Sequence, residues 1–363
     1  QHHVDQRRDV DVRDRRAPAP AARGREVRAH QSLPGPLSGW RVGVAWALQP
    51  AGLPRRWLGI VLVLPVLCYR PERPDPGDWR LAVLDVGQGG AAVLETATQT
   101  LVFDTGPPFG DNADAGERVV WPYLRARGIR KVDHLLVSHG DADHAGGLAS
   151  LLAPVRVDPI TASYDVPHET ACPPTLPALP ATTRSGPCAA GQAWQVDGVV
   201  FTMRYPVAVT EHARTQPFDA TPSRRASAQR NANSCVLHVQ GRRHSALLPG
   251  DIGGVQEAAI LQSAGPGRAD ALQADVALMA HHGSRHSSIA AWTRAVNARH
   301  AVAQSGYLNS YRHPHPDALL RWQSDGAVVH RTDLHGATVF TSRGGTLSVS
   351  REREQRRRYW HAR

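Results

Sequence analysis

The sequence predicts an α/β fold in which short strands alternate with helices around one large core. Short apolar runs, separated by Gly, Pro and Asp turns, recur along most of the chain and predict strands. A chain of 363 residues is long enough for a core of roughly 250–270 residues with flanking segments. Helical patterns lie between the strand-like runs, at residues 119–127, 146–152, 253–262, 289–296 and 316–323.

Composition divides the chain into five segments. Residues 1–39 are charged and rich in Pro and Ala without an apolar period, which favours disorder. Residues 40–70 are mainly apolar, and residues 71–79 form a polar, proline-rich linker. Residues 80–347 carry the α/β alternation, and residues 348–363 form a basic tail.

The apolar segment contains a stretch, residues 57–69, with aromatic residues at both ends. This stretch is shorter than the roughly twenty residues that a helix needs to span a bilayer, although flanking Trp and Tyr are typical of interfacial anchors. It is therefore either a buried helix or a membrane segment. Basic residues on both of its sides leave the orientation open.

The four cysteines lack the spacing of a metal finger. Cys172 and Cys188 flank a proline-rich loop, and we expect them to form a disulfide. Such a bond would indicate an oxidising, periplasmic compartment, and the alternative is two free thiols.

Four metal-ligating side chains follow the apolar run at residues 135–137: His139, Asp141, Asp143 and His144. Neighbouring carboxylates and imidazoles become favourable together when a divalent ion neutralises them. An extended segment places His139 and Asp141 on one face, and the following turn directs Asp143 and His144 towards a second ion. The pattern predicts a metal site. A polar loop with Asp143 as a helix N-cap is the alternative.

Three further apolar runs end in residues that suit the same site. Asp104 ends the first and is placed to orient a ligand loop, although an ordinary Asp-Thr-Gly turn has the same sequence. Asp251 ends the second and is our candidate for a carboxylate that bridges two ions. The third run delivers His281 and His282, of which we expect one to bind metal.

This order of elements resembles the metallo-β-lactamase superfamily. Within it, the chain is similar to the C-terminal hydrolase domain of the ComEC family of DNA-uptake channel proteins. The resemblance implies that the apolar segment, residues 40–70, is a remnant of the last membrane helix. It covers residues 80–347 and implies a four-layer αββα sandwich with the metal site at one edge, preceded by that short segment. It is carried by the motifs LDVGQG at 84–89, NANS at 231–234, LPGD at 248–251, HHGS at 281–284 and NSYRHP at 309–314.

Three departures from the family pattern bear on the metal. Asp141 stands where the superfamily has His, which favours Mn²⁺ while leaving Zn²⁺ open. The usual isolated His ligand before Asp251 has no clear counterpart, so we expect either one or two divalent ions. Gly90 replaces an acid that is common in ComEC-like chains.

The resemblance implies a metal-dependent phosphodiester hydrolase, the nuclease domain of a DNA internalisation channel for natural competence, acting through a metal-activated water. Asp141 or Asp143 would hold the remaining proton of the water, and His313 would protonate the leaving oxygen or clamp phosphate. Hydrogen-bond donors to phosphate would come from Asn233, Ser234, Ser284 and Arg312. For these residues, turn or strand-edge hydrogen bonds are the alternative.

The charge of the chain agrees with a polyanionic partner, since 42 basic residues against 32 acidic ones give a net charge of +10. The resemblance implies DNA as substrate, channel helices in the bacterial inner membrane, a periplasmic hydrolase domain, and competence DNA-receptor and translocation proteins as partners. Two other functions stay open. One is a free-standing hydrolase of a small phosphodiester, thioester or lactone, and the other is a non-catalytic DNA-binding module of the channel.

Overall fold

The structure is a computed structural model that describes residues 40–50, 55–67, 69, 71–164, 166, 183–207, 224–264 and 269–358. The chain divides into two compact units, one ending at Tyr69 and one starting at Arg70. Residues 1–39, for which the sequence predicts disorder, lie outside these ranges, and Cys172 also lies outside them.

The first unit contains two helices, α1 (Trp40–Ala47) and α2 (Leu58–Leu67). They pack closely at Gly43, where an added Cβ would lie only 2.7 Å from Leu62 Cβ. The Arg56 guanidinium also donates to the carbonyl oxygen of Ala47, at 2.9 Å. Among the helices of the described ranges, none has both the length and the apolar character that a membrane crossing requires.

The second unit consists of strands and helices in alternation. Its strands are β1 (Arg80–Val83), β2 (Ala92–Glu95), β3 (Thr100–Phe103), β4 (Lys131–Val132), β5 (His134–Val137), β6 (Arg156–Val157), β7 (Ile160–Ala162), β8 (Ser185–Pro187), β9 (Ala193–Val196), β10 (Val199–Tyr205), β11 (Val236–Gln240), β12 (Ser245–Leu248), β13 (Val276–Leu278), β14 (His300–Ala303), β15 (Val328–Arg331), β16 (Thr338–Arg343) and β17 (Thr346–Arg351).

The helices of this unit are α3 (Trp121–Ala126), α4 (Ala142–Ala145), α5 (Leu148–Leu152), α6 (Arg224–Asn231), α7 (Gly254–Ala264), α8 (Ala290–Val296), α9 (Pro316–Ser324), α10 (Thr332–His335) and α11 (Glu352–Gln355). A π-helical turn at Gly116–Val120 precedes α3, and 3₁₀ turns lie at Ala269–Leu272 and Ala280–Gly283. Each helical pattern of the sequence therefore corresponds to a helix. The final strand, β17, starts two residues before the segment that composition assigns to a tail and ends inside it, and α11 lies wholly within that segment.

Two large mixed sheets form the centre of the fold. The first has the strand order β17-β16-β1-β2-β3-β5-β7-β8, and the second has the order β15-β14-β13-β12-β11-β10-β9. A small separate pair joins β4 to β6. In the first sheet β3, β5 and β7 run parallel, and in the second sheet β12 to β15 run parallel.

Both faces of each large sheet are apolar, so each sheet packs against the other sheet on one side and against helices on the other. In β1, Leu81 contributes to the core shared with Leu248 of the second sheet, whereas Ala82 belongs to the cluster with Leu124 of α3. The outer face of the second sheet packs on Trp292 and Trp322, both fully buried. This αββα layering confirms the predicted fold class.

The disulfide joins Cys188 to Cys235, with the two Cα atoms 6.0 Å apart. The predicted pairing of Cys172 with Cys188 is wrong. Cys188 directly follows β8 in the first sheet and Cys235 directly precedes β11 in the second, so the bond links the two sheets within their shared core. The packing of the two sheets brings these distant residues together. The prediction was wrong because it was based on the short separation of Cys172 and Cys188 along the chain.

Candidate metal centre

The candidate site lies where parallel strands of both sheets end. Asp104 directly follows β3, and one residue separates His139 from the end of β5. In the second sheet, Asp251 lies after the end of β12 and His282 after the end of β13. Parallel neighbours deliver their carboxyl ends to the same edge of a sheet, which is where open α/β sheets bind ligands. The two sheets therefore present their polar loops at a common edge, as the resemblance implies.

Asp104 holds the loop after β5 and orients one histidine. It adopts a left-handed conformation with φ of 60°, which Asp tolerates better than most residues. One carboxylate oxygen accepts from the backbone N–H of Ser138 at 2.6 Å and the other from the Ser138 hydroxyl at 2.8 Å. The second oxygen also lies 2.7 Å from Nδ1 of His144. This contact leaves Nε2 of His144 facing the centre of the site.

We call Asp143, His144, Asp251 and His282 the first ligand group, because each offers one ligand atom and these atoms lie within 4.8 Å of one another. Nε2 of His144 lies 3.1 Å from Asp251 Oδ1 and 3.1 Å from His282 Nε2. Nε2 of His282 lies 3.3 Å from Asp143 Oδ2 and 3.4 Å from Asp251 Oδ2. Such spacings suit a cation between the four side chains.

The left-handed backbone of the His281–His282 pair, with φ of 51° and 55°, turns His282 into this group. His281 stays outside it, with a side chain 35% exposed and its Nε2 3.8 Å from Asp251 Oδ2. The structure thus separates two histidines that the sequence leaves equivalent.

The carboxylates of the first ligand group raise the pKa values of its two histidines, because they favour positive charge beside them. Burial alone would lower the pKa of His282, but Asp251 and hydrogen bonds to Asp143 and Asp251 raise it to about 9. Burial also lowers the pKa of His144, but the charges of Asp251 and Asp104 outweigh it and raise this pKa well above its usual value. Against the opposing effect of burial, His144 and His282 hold the pKa of Asp251 well below its usual range. The two nitrogen and two oxygen donors of this buried group fit a divalent metal ion.

We call His139, Asp141 and Asp143 the second ligand group, since their ligand atoms also lie within 4.8 Å. His139 is fully buried, and its Nδ1 lies 3.0 Å from the hydroxyl of Ser138. Burial, together with the neighbouring charge of His144, lowers the pKa of His139 to about 4. His139 is therefore neutral at physiological pH, and its Nε2 lies 4.0 Å from Asp141 Oδ2.

Asp141 already has partners on both carboxylate oxygens. Arg230 donates through Nε to Oδ1, and Ser227 donates its hydroxyl to Oδ2. With its amide nitrogen facing the site, Asn231 donates to Asp141 Oδ2 and to His139 Nε2, each at 3.2 Å. These three residues occupy one face of α6, because positions three and four apart share a helix face.

Three of the residues predicted to donate to phosphate make hydrogen bonds within the protein. The hydroxyl of Ser234 accepts from the backbone N–H of Asp251 at 3.2 Å, so it positions that loop. Asn233 donates its amide to the carbonyl of Gln229 at 2.9 Å, and the hydroxyl of Ser284 accepts from the N–H of His286 at 3.3 Å. Arg312 is exposed on its loop.

His313 lies beside the first ligand group. Its ring centroid is 5.7 Å from that of His281 and 6.4 Å from that of His282. Its Nδ1 is buried and has no hydrogen-bond partner within the described part of the chain. The side chain therefore has a donor or acceptor position to offer a bound ligand.

Sequence reasoning missed Arg230, Ser138 and the part that Gly90 plays. A Cβ at Gly90 would lie 2.9 Å from the His144 ring, so this glycine leaves room for that histidine. The spacing of Ser227, Arg230 and Asn231 on a helical pattern was a usable signal for a shared face. Nothing local indicated that this face would meet Asp141, 86 residues from Ser227.

Comparison with known proteins gives one family match. A model described as "Metallo-beta-lactamase superfamily" matches residues 84–306. Similar proteins include "Competence protein ComA" of Neisseria gonorrhoeae, 32% identical over 82% of this chain and 37% of that protein. "Recombination protein 2" of Haemophilus influenzae is 28% identical over 77% of this chain and 30% of that protein. "ComE operon protein 3" of Bacillus subtilis is 26% identical over 74% of this chain and 34% of that protein.

These matches agree with the resemblance drawn from the motifs. The chain spans about a third of the length of these curated relatives.

Proposed function

This chain belongs to the metallo-beta-lactamase superfamily, and we propose that it is a metal-dependent phosphodiesterase that hydrolyses DNA. The observation that carries the proposal is the first ligand group, four convergent donors at the edge where both sheets present their loops. The names of its relatives, which refer to competence and recombination, support DNA as the substrate. The net charge of +10 also favours a polyanion.

A divalent ion in the first ligand group would supply a Lewis acid that stabilises the charge developing on phosphoryl oxygens. Asp143, His144, Asp251 and His282 would hold it. Asp104 fixes the orientation of His144 through the 2.7 Å contact to Nδ1, and the hydroxyl of Ser234 holds the backbone of Asp251. These residues fix the ligand geometry before substrate binds, which lowers the cost of reaching the transition state.

Asp143 is the candidate to accept a proton from the attacking water. Its side chain is 34% exposed, against 4% for Asp251, so among the carboxylates of the first ligand group it is the one open to solvent and substrate. Against the opposing effect of burial, the charge of His144 and the hydrogen bond to His282 hold the pKa of Asp143 below its usual range, so its carboxylate carries no proton at neutral pH. His313, with its unpartnered Nδ1, is the candidate that contacts the phosphate or the leaving oxygen.

The larger setting is part of the same proposal. We assign the chain to the hydrolase part of a DNA internalisation channel in the bacterial inner membrane, with this domain on the periplasmic side. DNA-receptor and translocation proteins of competence would be its partners. The relatives are about three times longer than the matched region, which leaves room for channel segments in them.

The test is cleavage of labelled single- and double-stranded DNA by the chain with Mn²⁺, Zn²⁺ or EDTA. The variant Asp143→Ala removes a carboxylate that both ligand groups share, and His139→Ala removes a residue of the second group alone. Asp197→Asn is the control, because Asp197 is a hydrogen-bonded acid that belongs to neither ligand group and accepts instead from Thr96 and Thr98 in a turn. We expect metal-dependent cleavage that Asp143→Ala abolishes and Asp197→Asn retains.

Two results would reject the proposal. Intact DNA with the metal loaded, together with turnover of a small phosphodiester, thioester or lactone, would favour a small-substrate hydrolase. Tight, salt-sensitive DNA binding without cleavage under any metal would favour a binding module.

A further inference from the structure

The second ligand group differs from the first in that one of its carboxylates, Asp141, is bound by a guanidinium, which unlike a histidine cannot give up its proton to make way for an ion. Both oxygens of Asp141 accept hydrogen bonds from α6, one of them from the Arg230 guanidinium. In the first ligand group, by contrast, the described side-chain contacts of Asp143 and Asp251 are with histidines. The backbone N–H of Asp251 donates to the hydroxyl of Ser234. The two groups share Asp143, so charge on one acts directly on the other.

Arg230 cannot release Asp141 without cost. The Arg230 side chain is 8% exposed, and its Nη2 is buried with no hydrogen-bond partner among the described residues. Removing the carboxylate partner of a buried guanidinium leaves an uncompensated charge, which is strongly destabilising. A second ion that took Asp141 as a ligand would have this effect on Arg230, and the like charges of ion and guanidinium would repel each other.

Without Asp141, the second ligand group retains only His139 and the shared Asp143. His139 Nε2 is itself engaged, since it accepts from the Asn231 amide at 3.2 Å. Two donors of which one is shared make a poor site for a divalent ion that prefers four or more ligands.

We propose that the centre binds a single divalent ion, in the first ligand group, and that Arg230 supplies the positive charge at the second ligand group in place of a second ion. Asp141 is then a positioning residue for the guanidinium. The inference rests on the metal site of the proposed function but not on its substrate.

The experiment counts metal without DNA. The full chain is stripped with chelator, reloaded with excess Mn²⁺, freed of unbound ion by gel filtration, and assayed for metal per chain. Low-temperature electron paramagnetic resonance of the same samples distinguishes isolated Mn²⁺ from an exchange-coupled pair. Arg230→Gln removes the guanidinium, Arg230→Lys keeps a charge, and Arg225→Gln is the matched control on the exposed face of the same helix.

We expect about one Mn²⁺ per chain and an isolated-ion spectrum for the wild type, Arg230→Lys and Arg225→Gln. For Arg230→Gln we expect the count to rise towards two, with the coupled spectrum. Two ions in the wild type would overturn the inference whatever the variants do. A count that stays at one in folded Arg230→Gln would also overturn it, because the guanidinium would not then be what excludes the second ion.

A failure of this inference is distinguishable from a failure of the proposed function. A chain that binds one ion by these measurements yet leaves DNA intact would keep the inference and reject the nuclease. A chain that cleaves DNA with two bound ions would do the reverse.

Discussion

Replacement of Asp104 by Asn tests whether this carboxylate sets the metal affinity without touching the ion. The Oδ2 atom of Asp104 lies 2.7 Å from His144 Nδ1 and 2.8 Å from the Ser138 hydroxyl. An Asn keeps the oxygen that accepts from the Ser138 N–H, and it tolerates the left-handed backbone at φ of 60°. It places an N–H donor where His144 must donate. His144 then favours the tautomer with hydrogen on Nε2, the atom that faces the ion.

The expected magnitude follows from that change. Loss of the group that orients a metal-bound His weakens metal affinity by about 10- to 100-fold, which corresponds to about 1.4–2.7 kcal/mol. The assay is competition for Mn²⁺ or Zn²⁺ against a chelating dye at neutral pH. Circular dichroism of the metal-free proteins checks that the fold is retained. Asp197→Asn, an equally left-handed and hydrogen-bonded acid, should leave the affinity unchanged.

The result that would refute this reasoning is a dissociation constant for folded Asp104→Asn within about twofold of the wild-type value. Equal weakening in Asp197→Asn would also refute it, because the effect would then not come from His144.

Three further predictions follow from the same structure. Gly90→Ala should weaken metal binding about tenfold, since its Cβ would lie 2.9 Å from the ring of His144. Gly186→Ala, which has open space around the added Cβ, should leave metal binding unchanged. The dye competition measures both variants. Replacing Cys188 and Cys235 by Ala should lower the free energy of unfolding by about 4 kcal/mol for a 47-residue separation. Urea titration measures this free energy. Peptide mapping of the unreduced protein that found other cysteines linked would contradict the pairing. Burial raises the pKa of Glu257 from 4.5 to about 7, so the folded chain holds this proton more tightly and stability should fall by up to about 3 kcal/mol as pH rises from about 4.5 to about 7. Metal-free Glu257→Gln should show a flatter profile, and an unchanged slope would contradict the assignment.

Local pattern was sufficient to predict the alternation of strands and helices, whereas the four-layer arrangement was implied by the family resemblance. Alternating strands and helices are set by short-range periodicity, so the helical patterns predicted the helices to within a few residues. Asp104, His139 and Asp251 were predicted because a polar residue after an apolar run marks the end of a buried strand. The predicted roles of these residues remain to be measured.

The tertiary structure decided which of those residues meet. It separates His282 from His281 through two left-handed residues, and it packs α6 against Asp141. It also pairs Cys188 with Cys235 across the two sheets.

The sequence by itself determined the α/β class, the order of the strands that end in metal-ligating residues, and the family resemblance, because each is encoded in neighbouring residues. Only the tertiary structure decided which residues complete the first ligand group, which guanidinium lies beside Asp141 and which cysteine is the disulfide partner. These depend on contacts between segments 47 to 138 residues apart. Such contacts are fixed by the packing of two whole sheets and their helices, which no local pattern specifies.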